Sequence, residues 1–188
     1  MIKILFVLAF TGVLLYGCSN TISKTGSDSA QSKQNVIENT NDMENASLMI
    51  PSWINEKTVV DLKSPSAHTG KYGSVTNDSI EFGYGFMEQI KNINAGIPNM
   101  IMLTGWVYTT VAKPNLAIVL DISENNVQYD WKAFPLNDSL TTTGKWTQFN
   151  ATFYFDKPLN PEQVIKIFPW NQSGKIIYFD DFKISFQY

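Results

Sequence analysis

Lys145-Trp146-Thr147-Gln148-Phe149-Asn150-Ala151-Thr152-Phe153-Tyr154-Phe155-Asp156 alternates without a break. Thr147, Phe149, Ala151, Phe153 and Phe155 fall on one side of an extended chain, because successive side chains of a strand point to opposite faces. Trp146, Gln148, Asn150, Thr152 and Tyr154 fall on the other. The first set is dominated by apolar groups and reads as core. The segment is therefore a strand with one buried face and one face that mixes rings with amides and hydroxyls.

Working outward, the same texture recurs. Residues 57–62, 72–76, 79–86, 99–110, 115–122, 127–134, 164–170 and 175–186 are β-branched and aromatic runs separated by Gly, Pro, Asn, Asp and Ser. Short strands at this spacing predict an all-β antiparallel sandwich. Only 87–93 has a helical look, and it is a turn or two at most. All 5 tryptophans lie beyond residue 50, which places the folded domain at 51–188. In the 127–134 strand, Val127, Tyr129, Trp131 and Ala133 share a face, so Trp131 is either core or part of the mixed surface that carries Trp146. Trp106 and Tyr108 are equally open to both readings, because both faces of their strand are apolar.

Upstream of that domain the composition changes twice. Residues 1–17 carry one positive charge at Lys3 and then a mostly apolar run too short for the roughly 20 residues that cross a bilayer, which is the pattern of an export signal. Leu15-Tyr16-Gly17-Cys18 resembles the lipobox of bacterial lipoproteins, with Tyr16 where a small or β-branched residue is usual. The resemblance implies cleavage before Cys18 and acylation, palmitate included, of that cysteine, hence a membrane anchor made of lipid. Residues 18–50 contain scattered aliphatic residues without apolar periodicity and are expected to form a disordered tether. At about 30 residues its coil reach is near 30 Å. The implied location is the bacterial outer membrane, facing either the periplasm or the cell surface, since the first acidic residue after Cys18 is Asp28.

Composition removes several function classes. The chain has 188 residues and a net charge of -3, and all 14 of its cations are lysines. Without an arginine or a basic surface, nucleic acid is not an expected partner. With 1 His and 1 Cys, a zinc site of the usual His/Cys kind and a disulfide are both out of reach, and a histidine-based triad would rest on His68 alone. Glycoside hydrolysis needs two arranged carboxylates. Asp121, Glu124, Asp130 and Asp138 lie in or near adjacent turns with nothing in their spacing to single out a pair, so no catalytic residue is assigned and the chain is not expected to be an enzyme.

The ordered landmarks Ser66-Ala67-His68-Thr69-Gly70-Lys71-Tyr72-Gly73-Ser74, Leu103-Thr104-Gly105-Trp106-Val107-Tyr108, Gly144-Lys145-Trp146-Thr147-Gln148-Phe149, Trp170-Asn171 and Ile177-Tyr178-Phe179-Asp180-Asp181-Phe182-Lys183-Ile184 resemble those of galactose-binding-like jelly rolls. That group includes many carbohydrate-binding modules. The resemblance implies a noncatalytic domain that binds a polysaccharide or an envelope glycan, with a protein-docking sandwich face as the alternative. Rings interleaved with amides suit sugars, which are held by stacking and hydrogen bonding. Trp146, Tyr154, Gln148, Asn150 and Trp131 are the expected ligand-binding residues, with Trp170 and Asn171 as outlying members. Trp106 and Trp170 are read as packing residues that cover hydrophobic seams of the sandwich, and His68 as a structural loop residue.

Strict alternation puts Asp180 on one face with Ile176, Tyr178, Phe182, Ile184 and Phe186, toward the core, where an unpaired charge is costly. Two readings satisfy it. A neighbouring loop could cap it with backbone N–H groups. Alternatively, the resemblance implies a structural calcium using Asp180 or Asp181, carbonyl oxygens of the Thr69-Gly70-Lys71 loop, Lys71 among them, and an acid such as Glu56 or Asp61. Calcium asks for 6 to 8 oxygens, more than the sequence identifies.

Overall fold

A computed structural model of the chain describes residues 35–188. The signal segment, Cys18 and most of the expected tether lie outside the described residues. Eleven strands follow one another: β1 Val36–Asn41, β2 Trp53–Ile54, β3 Val59–Asp61, β4 Tyr72–Thr76, β5 Gly85–Gln89, β6 Met100–Thr109, β7 Leu116–Glu124, β8 Val127–Pro135, β9 Trp146–Tyr154, β10 Val164–Asn171 and β11 Ile177–Gln187. A single helical turn, α1 Ile90–Ile93, follows β5.

The strands form two antiparallel sheets, as the alternation predicts. One has six strands in the order β3-β4-β11-β6-β9, with β1 also paired to β11; the other has five, in the order β2-β5-β10-β7-β8. The order is far from sequential, as a jelly roll requires: β11, last in the chain, is the centre of the first sheet. Between the sheets lie Ile101, Leu103, Val107, Phe149, Ala151, Phe153, Phe179, Phe182, Ile184 and Phe186 from one side and Ile118, Leu120, Ile122, Ile165 and Ile167 from the other, all buried. The inward set of β9 is the one read from its alternation, with Phe149, Ala151 and Phe153 each at most 4% exposed.

Three expectations are corrected. The folded unit begins well before residue 51, because β1 pairs along its whole length with β11, from Val36 opposite Gln187 to Asn41 opposite Phe182, and Met43 and Ala46 are core residues. The tether reading fails over 36–50 because β1 keeps polar groups on its inner side and satisfies them with aromatic partners. The Trp53 indole N–H donates to Asn39 Oδ1 at 2.9 Å, and Asn41 Nδ2 donates to the Tyr84 hydroxyl at 3.1 Å. Second, the strand expected over 79–86 lies at Gly85–Gln89, which shortens the helical turn expected over 87–93 to Ile90–Ile93. Third, β11 does not alternate strictly. A bulge at Asp180 and Asp181, where Asp181 adopts φ 51°, shifts the register so that Tyr178 and Asp180 face away from the core while Phe179 and Phe182 both enter it.

Candidate functional site

The outer face of the six-stranded sheet carries four of the expected ligand-binding residues, but it does not gather them. Trp146 and Tyr154 stand at opposite ends of β9, roughly 27 Å apart at strand rise. They cannot flank one sugar. Gln148 and Asn150 lie exposed between them, opposite Trp106 and Thr104 of β6. Tyr154 is open, at 65% exposure.

Trp146 is engaged by its own chain. Its indole N–H donates to the Ser66 carbonyl at 3.0 Å, and its ring meets Tyr108 edge-on at 5.7 Å. The loop between β3 and β4 thereby folds over this end of the sheet. His68 stacks on Trp106 with ring centroids 3.9 Å apart, and its Nδ1 lies 2.6 Å from Asp181 Oδ2. Trp106 is therefore covered by the loop, on the outside of the sheet, and His68 has a structural role.

Asp180 is fully buried beneath the same loop. Its Oδ2 accepts the backbone N–H groups of His68 at 2.8 Å and Thr69 at 3.2 Å, and its Oδ1 accepts that of Asp181 at 2.8 Å. Burial nonetheless dominates, and with Asp181 beside it the carboxyl is pushed up to about 6. Asp181 is held by His68 and by the Thr69 hydroxyl, which donates at 2.6 Å. The Lys71 carbonyl accepts from Leu62 N, while Lys71 N donates to Glu44. Asp180, Asp181 and Lys71 thus turn their oxygens to protein donors, and no group of three His, Cys, Asp or Glu residues converges on a metal position among the described residues. The donor set does not fit calcium. The loop cap is the arrangement present.

Trp131 is on the other sheet, so the single platform expected from Trp146, Tyr154 and Trp131 divides in two. The outer face of the five-stranded sheet carries the more concentrated aromatic group. Along β10, Ile165 and Ile167 point into the core, so Lys166, Phe168 and Trp170 point out. Opposite them on β7 are Asp121, Val119 and Ala117, and across from these on β8 are Trp131, Ala133 and Pro135. Val119 and Ala117 are buried although they face outward, because the rings lie over them. Trp131 meets Trp170 edge-on at 5.8 Å; Phe82 stacks on Trp170 at 6.3 Å and 20° and meets Phe168 edge-on at 5.6 Å. Phe82 and Trp131 remain open, at 47% and 42% exposure.

Gly85 makes this packing possible. A Cβ there would stand 2.6 Å from the Ile167 carbonyl oxygen and 2.7 Å from Phe168 Cβ. Polar groups are set among the rings: Lys166 Nζ lies 3.9 Å from Asp121 Oδ2, and Asn55 holds the edge through Gly83 O. Ile54, Asn55, Phe82, Asp121, Lys166 and Phe168 line a cavity of about 220 Å³. Phe82 and Asn55 also line a neighbouring one of about 540 Å³ that runs toward Glu56 and Glu81. The Trp170 indole N–H is buried without a hydrogen-bond partner, which leaves an unmet donor in the midst of the cluster.

Sequence reasoning missed Phe82 and Phe168. Phe168 was legible: the alternation of 164–170 puts Lys166, Phe168 and Trp170 on one side. Phe82 was not, since it lies outside any strand and joins the face through an isolated bridge to Trp170. The candidate acids are dispersed. Asp121 faces Lys166, Glu124 accepts from Asn160 and Gln163, Asp130 lies between Lys132 and Lys157, and Asp138 is near Lys113.

No family model and no curated protein matches the chain. Solved structures do. The tandem CBM22-1–CBM22-2 domain of Paenibacillus barcinonensis Xyn10C aligns at 14% identity over 84% of this chain and 47% of its own, with a TM-score of 0.51. The CBM22-1 xylan-binding domain of the same protein aligns at 16% over 72% and 85%, with a TM-score of 0.47. The CBM22-1–GH10 modules of Clostridium thermocellum Xyn10B, complexed with xylohexaose, align at 12% over 72% and 26%, with a TM-score of 0.48. At such identities the likeness concerns fold alone: residues 35–188 form an antiparallel β-sandwich of the jelly-roll kind, shared with the tandem CBM22 domain at TM-score 0.51.

Proposed function

We propose that the chain is a noncatalytic glycan-binding lipoprotein: a module that holds a polysaccharide or envelope glycan on the outer face of its five-stranded sheet, anchored through acylated Cys18 in a bacterial outer membrane. The observation that carries the binding role is the grouping of Phe82, Phe168, Trp170 and Trp131 on one sheet face with Asp121, Lys166 and Asn55 among them. Rings take the apolar faces of sugars, and the polar groups meet their hydroxyls. The dispersed carboxylates, each with its own amine or amide partner, support a binding rather than a hydrolytic role.

Affinity electrophoresis through gels containing soluble xylan, β-1,4-galactan or β-glucan, backed by a glycan array, tests this reading. Retardation by at least one glycan is expected, lost in Phe82→Ala and Trp131→Ala. A wild-type chain that no glycan retards or retains sinks the proposal, as does unchanged retardation of both variants. Palmitate incorporation that disappears in Cys18→Ala tests the anchor. The alternative, a protein-docking role, would use the six-stranded sheet, where exposed Tyr154 lies opposite Met100.

A further inference from the structure

A third cavity, of about 410 Å³, opens at one end of the six-stranded sheet, on the other side of the sandwich from the aromatic cluster. Three segments build it: Ser64 and Pro65 of the loop that covers Trp106, Tyr108 and Thr110 at the end of β6, and Lys175, Ile176 and Tyr178 at the start of β11. Tyr178 is paired directly with Tyr108, and Tyr108 with Trp146. The three rings form a row across three strands, with centroids 6.2 Å and 5.7 Å apart. The Trp146 bond to Ser66 fixes one end of that row. The volume is ordinary for a small-molecule site.

The lining is chemically one-sided. Four hydroxyl-bearing residues line this corner, Tyr108, Tyr178, Ser64 and Thr110. No carboxylate lines it. Its cation is Lys175. Among the described residues, Lys63, Lys91, Lys113, Lys132, Lys157, Lys166 and Lys183 each lie within 4.0 Å of an acid, whereas Lys175 does not. Asp78 stands at the rim, its Cβ 3.8 Å from where a Cβ on the lining residue Gly174 would stand, and its own contact is with the Ser79 hydroxyl. Lys175 is thus the one charged residue of the lining.

We propose that this corner is a second binding site, specific for a carboxylate-bearing sugar: Lys175 meets the carboxylate, the Tyr108 and Tyr178 rings bear on the sugar, and their hydroxyls donate to its oxygens. Ile176 and Pro65 supply the remaining apolar wall. The site shares no residue with the cluster on the five-stranded sheet. The chain would then hold a neutral and an acidic glycan at once, on opposite faces.

Isothermal titration of the full chain with trigalacturonate and, separately, with xylohexaose tests this. Trigalacturonate is expected to bind with a Kd that rises tenfold or more in Lys175→Gln, the size of a lost charge-assisted contact. A few-fold rise is expected in Tyr178→Phe. Lys57→Gln, the same loss of charge elsewhere on the surface, should leave the Kd within twofold. Failure of trigalacturonate to bind overturns the proposal, and so does a Lys57→Gln effect equal to that of Lys175→Gln, which would mean diffuse attraction. Phe82→Ala separates the two sites: it should leave trigalacturonate binding intact. Loss of xylohexaose binding in Phe82→Ala bears only on the five-stranded sheet, so each reading can fail alone.

Discussion

Trp131→Ala puts the aromatic cluster to a quantitative test. Trp131 is 42% exposed, and its one ring contact is the edge-on meeting with Trp170 at 5.8 Å. A tryptophan presents up to about 250 Å², so about 100 Å² of it faces solvent. A glycan covering all of that surface gains ~2.5 kcal/mol at ~25 cal/mol per Å², and one covering a single ring face gains about half as much. The expected Kd therefore rises roughly 10- to 70-fold on truncation. The fold loses the contact with Trp170 and the buried remainder of the side chain, about 150 Å², worth up to ~3.5 kcal/mol at ~25 cal/mol per Å², a shift of roughly 7 to 14 degrees in the unfolding midpoint. Titration calorimetry with the best-retained glycan, alongside thermal unfolding, reads both quantities. A Kd within twofold of wild type shows that the ligand does not touch this ring. A collapse of the unfolding midpoint shows that Trp131 is a packing residue and refutes the assignment of its exposed face.

Other predictions concern the scaffold. Asp180, pushed up to about 6 by burial, binds its proton more tightly folded than unfolded, so its contribution is present below about pH 4 and is lost as pH rises through 6. A shift of that size is worth ~3 kcal/mol; urea titrations between pH 4 and 8 should show a slope in wild type that Asp180→Asn flattens, and parallel profiles would contradict it. Gly85→Ala should lower stability by roughly 1 to 3 kcal/mol by forcing β5 from β10, and should weaken glycan binding as Phe168 moves. Removing residues 36–48 should abolish cooperative unfolding, since it strips the ladder on β11 and two core residues; a melt like that of wild type refutes this. EDTA, or calcium added after it, should leave the melting temperature unchanged, because the Asp180 oxygens are already taken by backbone donors.

The parts of the fold that were legible were those in which one periodicity held from end to end. In β9, every second residue from Phe149 to Phe153 is buried, as its alternation requires. The β1 strand was hidden because its inner face carries Asn39 and Asn41, whose amides are matched to an indole and a phenol more than ten residues away in the chain. β11 misled at one point, where the bulge reverses the face between Asp180 and Phe182. Ring partnerships were the least legible feature. Trp146 and Trp131 look alike in sequence, one beside polar residues and the other likewise, but which sheet each joins depends on strand order. Trp146 was also claimed by a carbonyl 80 residues away in the chain.

Asn35, the first described residue, accepts a hydrogen bond from the backbone N–H of Tyr188, the last, at 3.0 Å. The chain therefore enters and leaves the sandwich at one spot. Closing the ladder at its two ends leaves the broad sides of both sheets clear of the segments that lead into and out of the domain. Joining those two ends by a short linker and opening the chain at an exposed loop should give a circularly permuted domain that still folds.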